Sequence, residues 1–540
     1  MQIPTKLITI TVMAKKNKRR KVDHVQLLTN LHNLTGFQNL EHEDESLAAC
    51  LAEFQQATNN DESDQAGASP AVQQTPRADS TTGSVRSRTS RSWEEEQLDK
   101  DRIETWNRSV LAWATHHGGN YPPGLLPNIE EEIARHFHVQ ESSKFLLEQG
   151  NDLRMPMFER WLLDSRLEDS KSRDPIFPMT LLPQSSAACH RLSEELAQNG
   201  LNTEKVREIV GELCRKVTVA GQELAAKSET YHKTSPLKKG DRMDLEDHNT
   251  TVTLIYSRKK WKKPFCFSLN KSHYQKLKDR FFHLHTLTTT KLDPDSKNVI
   301  RAFHLVVVAL MLRYSSMSGG QLLQDLRGGG MQGAIHEKVF DVLRETWDGP
   351  WIEGFASPLN VFLPTYGSAF PDLDWHFGSI GSFWDTSYVR KGGCCCEANP
   401  PFSPGLMTKM VDHIHDQLKK ADRLGTRLTF VVVVPTAGSG KDRVVQKAAL
   451  DSFKQMTDSP WCRKHIKLSA REHGYIEGAQ HLRTTKYKQS SYDTSVILLQ
   501  STTSKQMDLD ERNFEKKIRG AFASQHDEEL KTRRDSSRGH

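Results

Sequence analysis

The strongest constraint on the fold is a run of seven residues, Leu428 to Val434 (LTFVVVV), which Pro435 ends. Such a continuous β-branched run is typical of a strand that is buried on both faces of a parallel sheet. Ser495 to Leu499 (SVILL) is a second such run, and Trp351 to Phe355 is a shorter one. Apolar residues at helical spacing from Leu406 to Ala421 place a helix before the first run, and strand–helix–strand is the unit of a doubly wound sheet. The sequence therefore predicts an α/β fold.

The N-terminal part of the chain has the composition of a tail. Residues 1–92 include a basic block, Lys15 to Lys21 (KKNKRRK), and an almost purely polar stretch from Asp61 to Ser92. This composition buries too little apolar surface to offset chain entropy, so we expect disorder there. The basic block suits a nuclear-import signal or an RNA-binding arm, and a solvated charge run would look the same. We therefore expect a nuclear protein, with the cytoplasm as an additional location.

Residues 93–300 are predicted to form a mostly helical domain that contributes to RNA or cap binding. Apolar residues recur there at three- and four-residue spacing, as from Leu98 to Trp113. The segment from Tyr256 to His285 mixes lysine and arginine with tryptophan and phenylalanine, which suits a nucleic-acid backbone. A strand edge guarded by lysines would have the same composition. The remaining predicted boundaries are 301–503 for the α/β core and 504–540 for a charged, disordered tail.

Cysteine spacing, the length of apolar runs and the net charge limit the kinds of ligand and partner that the chain is expected to bind. None of the eight cysteines forms a C-x-x-C pair with a second pair downstream, so no metal site is expected. The longest apolar run, Leu305 to Leu312, is shorter than the ~20 residues of a membrane span, so no membrane partner is expected. The net charge of +6 is compatible with a polyanionic partner without requiring one.

The motif that points to chemistry is Asn399-Pro400-Pro401-Phe402, which follows the apolar segment Cys394 to Ala398. This is the carboxyl end of a predicted strand, where doubly wound folds bind ligands. The prolines fix the backbone, the Asn399 side chain and the Pro400 carbonyl can accept hydrogen bonds from an amine, and Phe402 offers a stacking face. Two acceptors would favour the pyramidal amine that attacks a sulfonium methyl group. The same four residues also occur in ordinary turns.

Several further motifs occur in an order that resembles the phosphorylated CTD-interacting factor family, the cap-specific adenosine N6-methyltransferases. The resemblance covers roughly Phe303 to Gln500. It implies a Rossmann-like S-adenosylmethionine-dependent methyltransferase core behind the helical domain. It also implies that the chain methylates N6 of the cap-proximal 2′-O-methyladenosine of capped mRNA. The motifs are Gly354 to Asn360 (GFASPLN), Ser368 to Asp374 (SAFPDLD), Phe377-Gly378-Ser379, Glu397 to Phe402 (EANPPF), the strand ending at Pro435, and Gln480-His481.

The resemblance also implies a role for each motif residue. The catalytic residues would be Asn399, Pro400, Pro401 and Phe402. The residues that bind S-adenosylmethionine would be Phe355, Ala356, Ser357, Pro358, Leu359 and Asn360, with Asp372 or Asp374 on the cofactor hydroxyls. The residues that bind the substrate would be Glu397, Tyr475, Gln480 and His481.

Two features depart from that family. No WW domain is expected, because the region before Trp93 lacks paired tryptophans, and recruitment to the transcription machinery would then need another route. Phe355 and Asn399 are also close in sequence, so the sheet between them must be abbreviated. Two alternatives stay open: an adenine N6-methyltransferase on internal RNA or DNA sites, and an inactive scaffold that binds RNA.

Overall fold

The structure is a computed structural model, and it describes most of the chain from residue 126 onward. The predicted tail with its basic block, the helix predicted from Leu98 to Trp113, and Gln480 lie outside the described residues, so those predictions stay predictions. The described residues are 126–233, 240–259, 261, 263–288, 297–320, 332–390, 392–436, 443–476, 478, 481–482 and 487–523.

Helices form the first part of the described chain, and a small antiparallel sheet follows them. The Asn128 side chain caps the first helix by accepting the N–H groups of Glu130 and Glu131, as expected of an N-cap residue. The three strands of this sheet lie side by side in chain order. The elements are α1 (Ile129–Leu147), α2 (Met155–Glu168), α3 (Ala187–Gln198), α4 (Thr203–Lys233), β1 (Asp241–Asp247), β2 (Thr251–Arg258), β3 (Phe265–Asn270), α5 (Lys271–Thr288) and α6 (Lys297–Met317).

The basic and aromatic segment from Tyr256 to His285 is built mainly from β2, β3 and α5. Its aromatic rings pack against one another: the ring centroids of Trp261 and Phe265 lie 5.6 Å apart at 67°. The Arg258 guanidinium stacks over Trp261 at 4.9 Å and pairs with Asp241. These groups are therefore engaged within the protein, and the contribution of this segment to RNA binding stays a prediction.

α6 lies in the centre of the largest apolar core. Residues Val299–Met317 are long and apolar enough to cross a membrane by length and composition, with a mean hydropathy of 1.4. However, 78% of that window is buried inside the protein, and a core helix passes the same test. Side chains of α6 share this core with α1 to α4 and with Leu359 and Phe370 of the α/β part. The domain boundary predicted at residue 300 therefore falls inside a helix that joins the two parts.

The second part of the described chain contains a six-stranded sheet with the order β5-β4-β6-β7-β11-β8. Between the first strand of this sheet (Trp351–Ala356) and the strand Cys394–Ala398, the described residues contain only a three-residue strand and two short helical turns. The sheet is therefore abbreviated at this point, as the sequence predicted. The elements are α7 (Glu337–Thr346), β4 (Trp351–Ala356), β5 (Tyr366–Ser368), α8 (Pro371–Asp374), the 3-10 turn Trp375–Phe377, β6 (Cys394–Ala398), α9 (Pro404–Leu424), β7 (Leu428–Pro435), α10 (Arg443–Thr457), β8 (Cys462–Leu468), β9 (Gly474–Ile476), β10 (Tyr487–Gln489), β11 (Thr494–Gln500) and α11 (Thr502–Lys505).

The predicted α/β fold is confirmed, and β7 shows why its sequence is so apolar. Val432 and Val434 pack into the core on one face of the sheet, while Val431 and Val433 pack into the core on the other. Strands β5, β4, β6 and β7 are parallel, whereas β11 is antiparallel to both of its neighbours. The apolar run of β11 predicted a buried strand but not its direction, because side chains alternate between the faces in either case.

The ends of the α/β part follow ordinary helix rules. α9 begins with Pro404 in its first turn and ends at Gly425, whose φ of 61° is the left-handed conformation that favours glycine. Residues 511–523 form a further helix (α12), whose Phe514, Ile518 and Phe522 are buried. The structure differs here from the disordered tail expected after residue 503, because apolar residues at helical spacing reach the core despite the high charge.

Candidate active site

The Asn399-Pro400-Pro401-Phe402 motif lies where β6 ends and α9 begins, as the sequence predicted. The carbonyl oxygen of Pro401 accepts the N–H of Ser403 at 2.8 Å. The Ser403 hydroxyl in turn donates to the Asp164 carboxylate on α2. The motif is therefore fixed at one end by the sheet and at the other by a helix of the N-terminal part.

Asn399 presents an unsatisfied acceptor. Its side chain is buried, and its Nδ2 donates to the carbonyl oxygen of Gly333 at 3.3 Å. Its Oδ1 is buried and has no hydrogen-bond partner among the described residues. Because a buried carbonyl without a partner costs free energy, this atom is suited to accept a hydrogen bond from a bound ligand. The hydrogen bond to Gly333 holds the amide in the orientation that leaves Oδ1 available.

Phe402 is held by two tyrosines. Its ring centroid lies 6.4 Å from that of Tyr475 on β9 and 6.0 Å from that of Tyr492, and both contacts are close to perpendicular. The Tyr475 hydroxyl and Thr494 Oγ1 are 2.6 Å apart, and Thr494 Oγ1 lies 2.7 Å from His473 Nε2. The predicted substrate residue Tyr475 is thus brought to the motif. Tyr492 was missed, because a single tyrosine in a loop carries no periodic signal.

A cavity of about 430 Å³ opens at the carboxyl ends of β4, β5 and β6. This is the edge at which doubly wound sheets bind their ligands, and the volume lies in the range of small-molecule sites. Among the predicted site residues, those that line it are Phe355, Ala356, Asn360 and Pro401. Ser357, Pro358 and Leu359 are buried but do not line it.

The turn after β4 is rigid. Asn360 Oδ1 accepts the N–H of Ser357 at 2.7 Å and its hydroxyl at 3.0 Å. The Phe355 ring lies nearly parallel to Phe383, with centroids 4.4 Å apart. Gly354 allows this close packing, since a Cβ there would lie 2.9 Å from a Phe383 ring carbon and 3.0 Å from Cys396 Sγ. The turn therefore presents a preformed wall to the cavity.

A short segment that the sequence analysis missed, Gln332 to Ala334, crosses this edge of the sheet. The Gln332 side-chain oxygen accepts the Ser357 hydroxyl at 2.9 Å, and its backbone carbonyl accepts Asn360 Nδ2 at 3.0 Å. Gly333 contacts Asn399 as described, and Ala334 exchanges two backbone hydrogen bonds with Ile476 of β9. The segment thus connects the β4 turn, the β6 motif and β9. Most of these contacts use backbone atoms, which no side-chain pattern reveals.

Asp372 and Asp374 lie outside the lining of the cavity. Asp372 pairs with Arg313 at 2.9 Å, and its side chain is 57% exposed. Asp374 is fully buried and accepts the Tyr314 hydroxyl at 2.6 Å. Burial raises the pKa of Asp374 to about 7. Each carboxylate therefore has a partner within the protein, while the second oxygen of Asp374, Oδ1, is buried and has no hydrogen-bond partner among the described residues. Their assignment to cofactor hydroxyls stays a prediction.

Glu397 and His481 are buried but do not line the cavity. Glu397 lies opposite Glu353 in the β4–β6 register, and burial followed by the charge of Glu353 raises its pKa well above the usual range. The backbone carbonyl of His481 accepts the N–H of Asn270, at the end of β3. Burial lowers the pKa of His481 to about 4, so its ring is neutral. Their roles in substrate binding stay predictions.

The helix α2 forms the wall opposite the sheet. Its Glu159, Leu162, Leu163 and Arg166 line the cavity. Their spacing of three and four residues is that of one helix face, which a sequence can indicate without revealing what the face covers. Next to Arg166, Lys409 of α9 also lines the cavity, so this end of the cavity is basic.

Comparison with known proteins supports a relationship over part of the chain. The family model described as "Phosphorylated CTD interacting factor 1 WW domain" matches residues 280–478. The mRNA (2'-O-methyladenosine-N(6)-)-methyltransferases of Mus musculus and Homo sapiens are each 33% identical to the chain over 197 residues. This alignment covers 36% of the chain and 25% of each relative. The chain therefore spans about a quarter of the length of these relatives.

The family match corrects one prediction. A WW domain was expected to be absent because the residues before Trp93 lack paired tryptophans. The model that matches residues 280–478 is described as a WW domain, so that expectation is wrong. The expectation was based on the residues before Trp93 alone, whereas the match falls in the region that includes the α/β sheet.

Proposed function

We propose that this chain transfers a methyl group from S-adenosylmethionine to N6 of the cap-proximal 2′-O-methyladenosine of capped mRNA. The observation that carries the proposal is the buried Oδ1 of Asn399 at the carboxyl end of β6, which has no hydrogen-bond partner in the part of the chain that the structure describes, beside a cavity lined by Pro401. Relatives named mRNA (2'-O-methyladenosine-N(6)-)-methyltransferase support the substrate.

The residues present fit the cofactor. A nucleoside with an amino-acid side chain requires a cavity of several hundred Å³ with apolar walls and a few polar groups. The cavity supplies the Phe355 ring, the polar side chain of Asn360 and the basic groups of Arg166 and Lys409. When bound, S-adenosylmethionine would supply the electrophilic methyl group.

The chain's own residues would orient the target amine. The lone pair of an adenine amine is delocalised into the ring, so the amine is a weak nucleophile. The Oδ1 of Asn399 and the carbonyl oxygen of Pro400 would each accept a hydrogen bond from one N–H of the amine and so favour a pyramidal nitrogen. The half-buried Phe402, held edge-on by Tyr475 and Tyr492, would provide the stacking face. Catalysis would then rest on positioning and fixed dipoles.

The decisive experiment supplies labelled S-adenosylmethionine with capped and uncapped RNAs that begin with adenosine or guanosine. We expect labelling of capped adenosine-start RNA alone, at N6. Equal labelling of uncapped RNA, or labelling of DNA, would replace this substrate with internal adenines. No labelling by a folded protein that also fails to bind S-adenosylhomocysteine would favour a scaffold that binds RNA.

Asn399→Ala tests the site within that assay. We expect turnover to fall by at least about 100-fold, as for loss of one preorganised catalytic hydrogen-bonding group, while cofactor affinity is retained. Asn513→Ala, at an exposed position on α12, is the matched control and should leave turnover unchanged. Normal turnover of Asn399→Ala would remove Asn399 from the mechanism.

Two proposals concern partners and location. The description of the matching family model leads us to propose that the chain binds a phosphorylated CTD peptide. A pull-down with phosphorylated and unphosphorylated peptides tests this. The Lys15 to Lys21 block leads us to propose nuclear import, which deletion of the block in a fluorescent fusion tests.

A further inference from the structure

Glu159 on α2 is a buried acid in the wall of the cavity. Its side chain is 2% exposed, and its Oε1 has no hydrogen-bond partner among the described residues. The guanidinium of the adjacent Arg160 is bonded to Glu195 of α3 at 2.6 Å. A buried carboxylate with an unpartnered oxygen is expensive, and such groups cluster where a ligand supplies the missing partner.

The position of Glu159 along α2 indicates which part of a ligand it faces. The start of α2 lies against the end of α6, because Met155 contacts Gly319. Further along α2, Asp164 contacts Ser403 at the catalytic motif. Glu159 and Arg166 are seven residues apart, or about 10 Å along the helix. The acid therefore lies toward the α6 end of the cavity, and the basic group lies toward α9.

The α6 end of the cavity adjoins β5. Tyr314 of α6 lines the cavity together with Phe370, which follows β5, and their ring centroids are 5.0 Å apart. In doubly wound folds, an acid associated with the strand after the first turn binds the ribose hydroxyls of the nucleoside. Here Asp372 and Asp374 hold that sequence position, but neither lines the cavity: Asp372 pairs with Arg313, and Asp374 accepts the Tyr314 hydroxyl through one of its oxygens. Glu159 is the acid that lines this end.

We propose that Glu159 accepts the hydrogen bonds of the cofactor's ribose hydroxyls, so that the N-terminal helical part completes the cofactor site. This inference rests on the proposed function, because it assumes an S-adenosyl cofactor in the cavity. It also explains why a buried acid lies beside Leu162 and Leu163 on the face of α2 that lines the cavity. Burial raises the pKa of Glu159 to about 7 in the absence of ligand, as expected of a buried carboxyl that has too few hydrogen-bond donors.

The test measures binding of S-adenosylhomocysteine by titration calorimetry, together with its 2′-deoxy and 3′-deoxy analogues. Wild type should lose affinity for at least one deoxy analogue. Glu159→Gln should bind the parent compound about 10- to 100-fold more weakly, as for loss of a hydrogen bond to a charged group. The variant should also lose the discrimination that wild type shows against that analogue, because the two changes remove the same contact.

Two further variants keep the result interpretable. Glu208→Gln, at an exposed position on α4, removes one charge elsewhere and should bind as wild type. Glu159→Met keeps the volume without a polar group and should give the same result as Glu159→Gln. It replaces Glu159→Gln in the test if that variant folds poorly. Undiminished discrimination by a folded Glu159 variant would overturn the role of Glu159. Failure of wild type to bind any of these compounds would instead refute the proposed cofactor, and the inference with it.

Discussion

Glu159→Gln is expected to change the stability of the cofactor-free protein in a way that depends on pH. Burial raises the pKa of this carboxyl from 4.5 to about 7. Above pH 7 the group is ionised in both the folded and the unfolded chain, and the folded state bears the full cost of burying the charge. At about 1.4 kcal/mol per pKa unit, this cost is about 3 kcal/mol. Arg160 offsets part of the effect of burial and is already included in that pKa.

The sign of the effect follows from proton uptake. Between pH 4.5 and 7 the folded state holds a proton that the unfolded chain has released, so the cost shrinks as the pH falls. Glutamine is neutral throughout, so the variant should gain stability relative to wild type by about 2 kcal/mol more at pH 8 than at pH 5.5. Urea unfolding at both pH values measures this.

Glu208→Gln is the control for this dependence of stability on pH. Glu208→Gln should show no such dependence, because that residue is exposed. A stability difference between Glu159→Gln and wild type that is the same at both pH values would show that the carboxyl is not held in a buried, unpaired state. Glu159 would then lack the buried, unsatisfied oxygen from which its ligand role is inferred.

Three further predictions concern the surroundings of the site. Gln332→Ala should weaken S-adenosylhomocysteine binding by about 10-fold in calorimetry, because Ser357 in the cofactor turn loses a buried hydrogen-bond partner; unchanged affinity would contradict this. Tyr492→Ala should raise the KM for RNA more than it lowers kcat, because Phe402 loses one of the rings that position it; an equal effect on both constants would argue against positioning. The buried carboxylate of Glu132 on α1 pairs with Arg135 at 2.8 Å and with Arg313 of α6 at 2.6 Å. Glu132→Gln should lower the free energy of unfolding by about 3–5 kcal/mol in urea, because both buried arginines lose this shared carboxylate; a loss below about 1 kcal/mol would contradict the pairing.

The sequence predicted the inner strands β4, β6, β7 and β11 because they are buried on both faces, but it did not indicate the edge strands β5 and β8. Each residue of β7 must then be apolar or small whichever way it points, so the strand is visible as a continuous run. The same reasoning located β6 and the turn into α9, and with them Asn399. What the sequence did not contain was direction, since β11 looks the same parallel or antiparallel.

The acid that faces the cofactor was harder to predict from the sequence than the strands were. The family resemblance implied that Asp372 or Asp374 meets the cofactor hydroxyls, and both residues follow β5 in the structure. Their partners Arg313 and Tyr314 are about sixty positions away in the chain and carry no sequence signal of the contact. Glu159 had a signal, namely an acid within the apolar stretch Met155–Leu163, but its meaning depends on which surface the helix covers.

The hydrogen bond between Ser403 and Asp164 has a consequence for how this protein can be divided. Asp164 also pairs with Arg191 of α3 at 2.7 Å, so the end of the catalytic motif is anchored through two helices of the N-terminal part. A fragment beginning at residue 301 would lose this anchor, one wall of the cavity and most of the core around α6. The smallest piece that can be expressed, shortened or exchanged with a relative while keeping the cavity and its core intact therefore begins before α1, not at the first strand of the sheet.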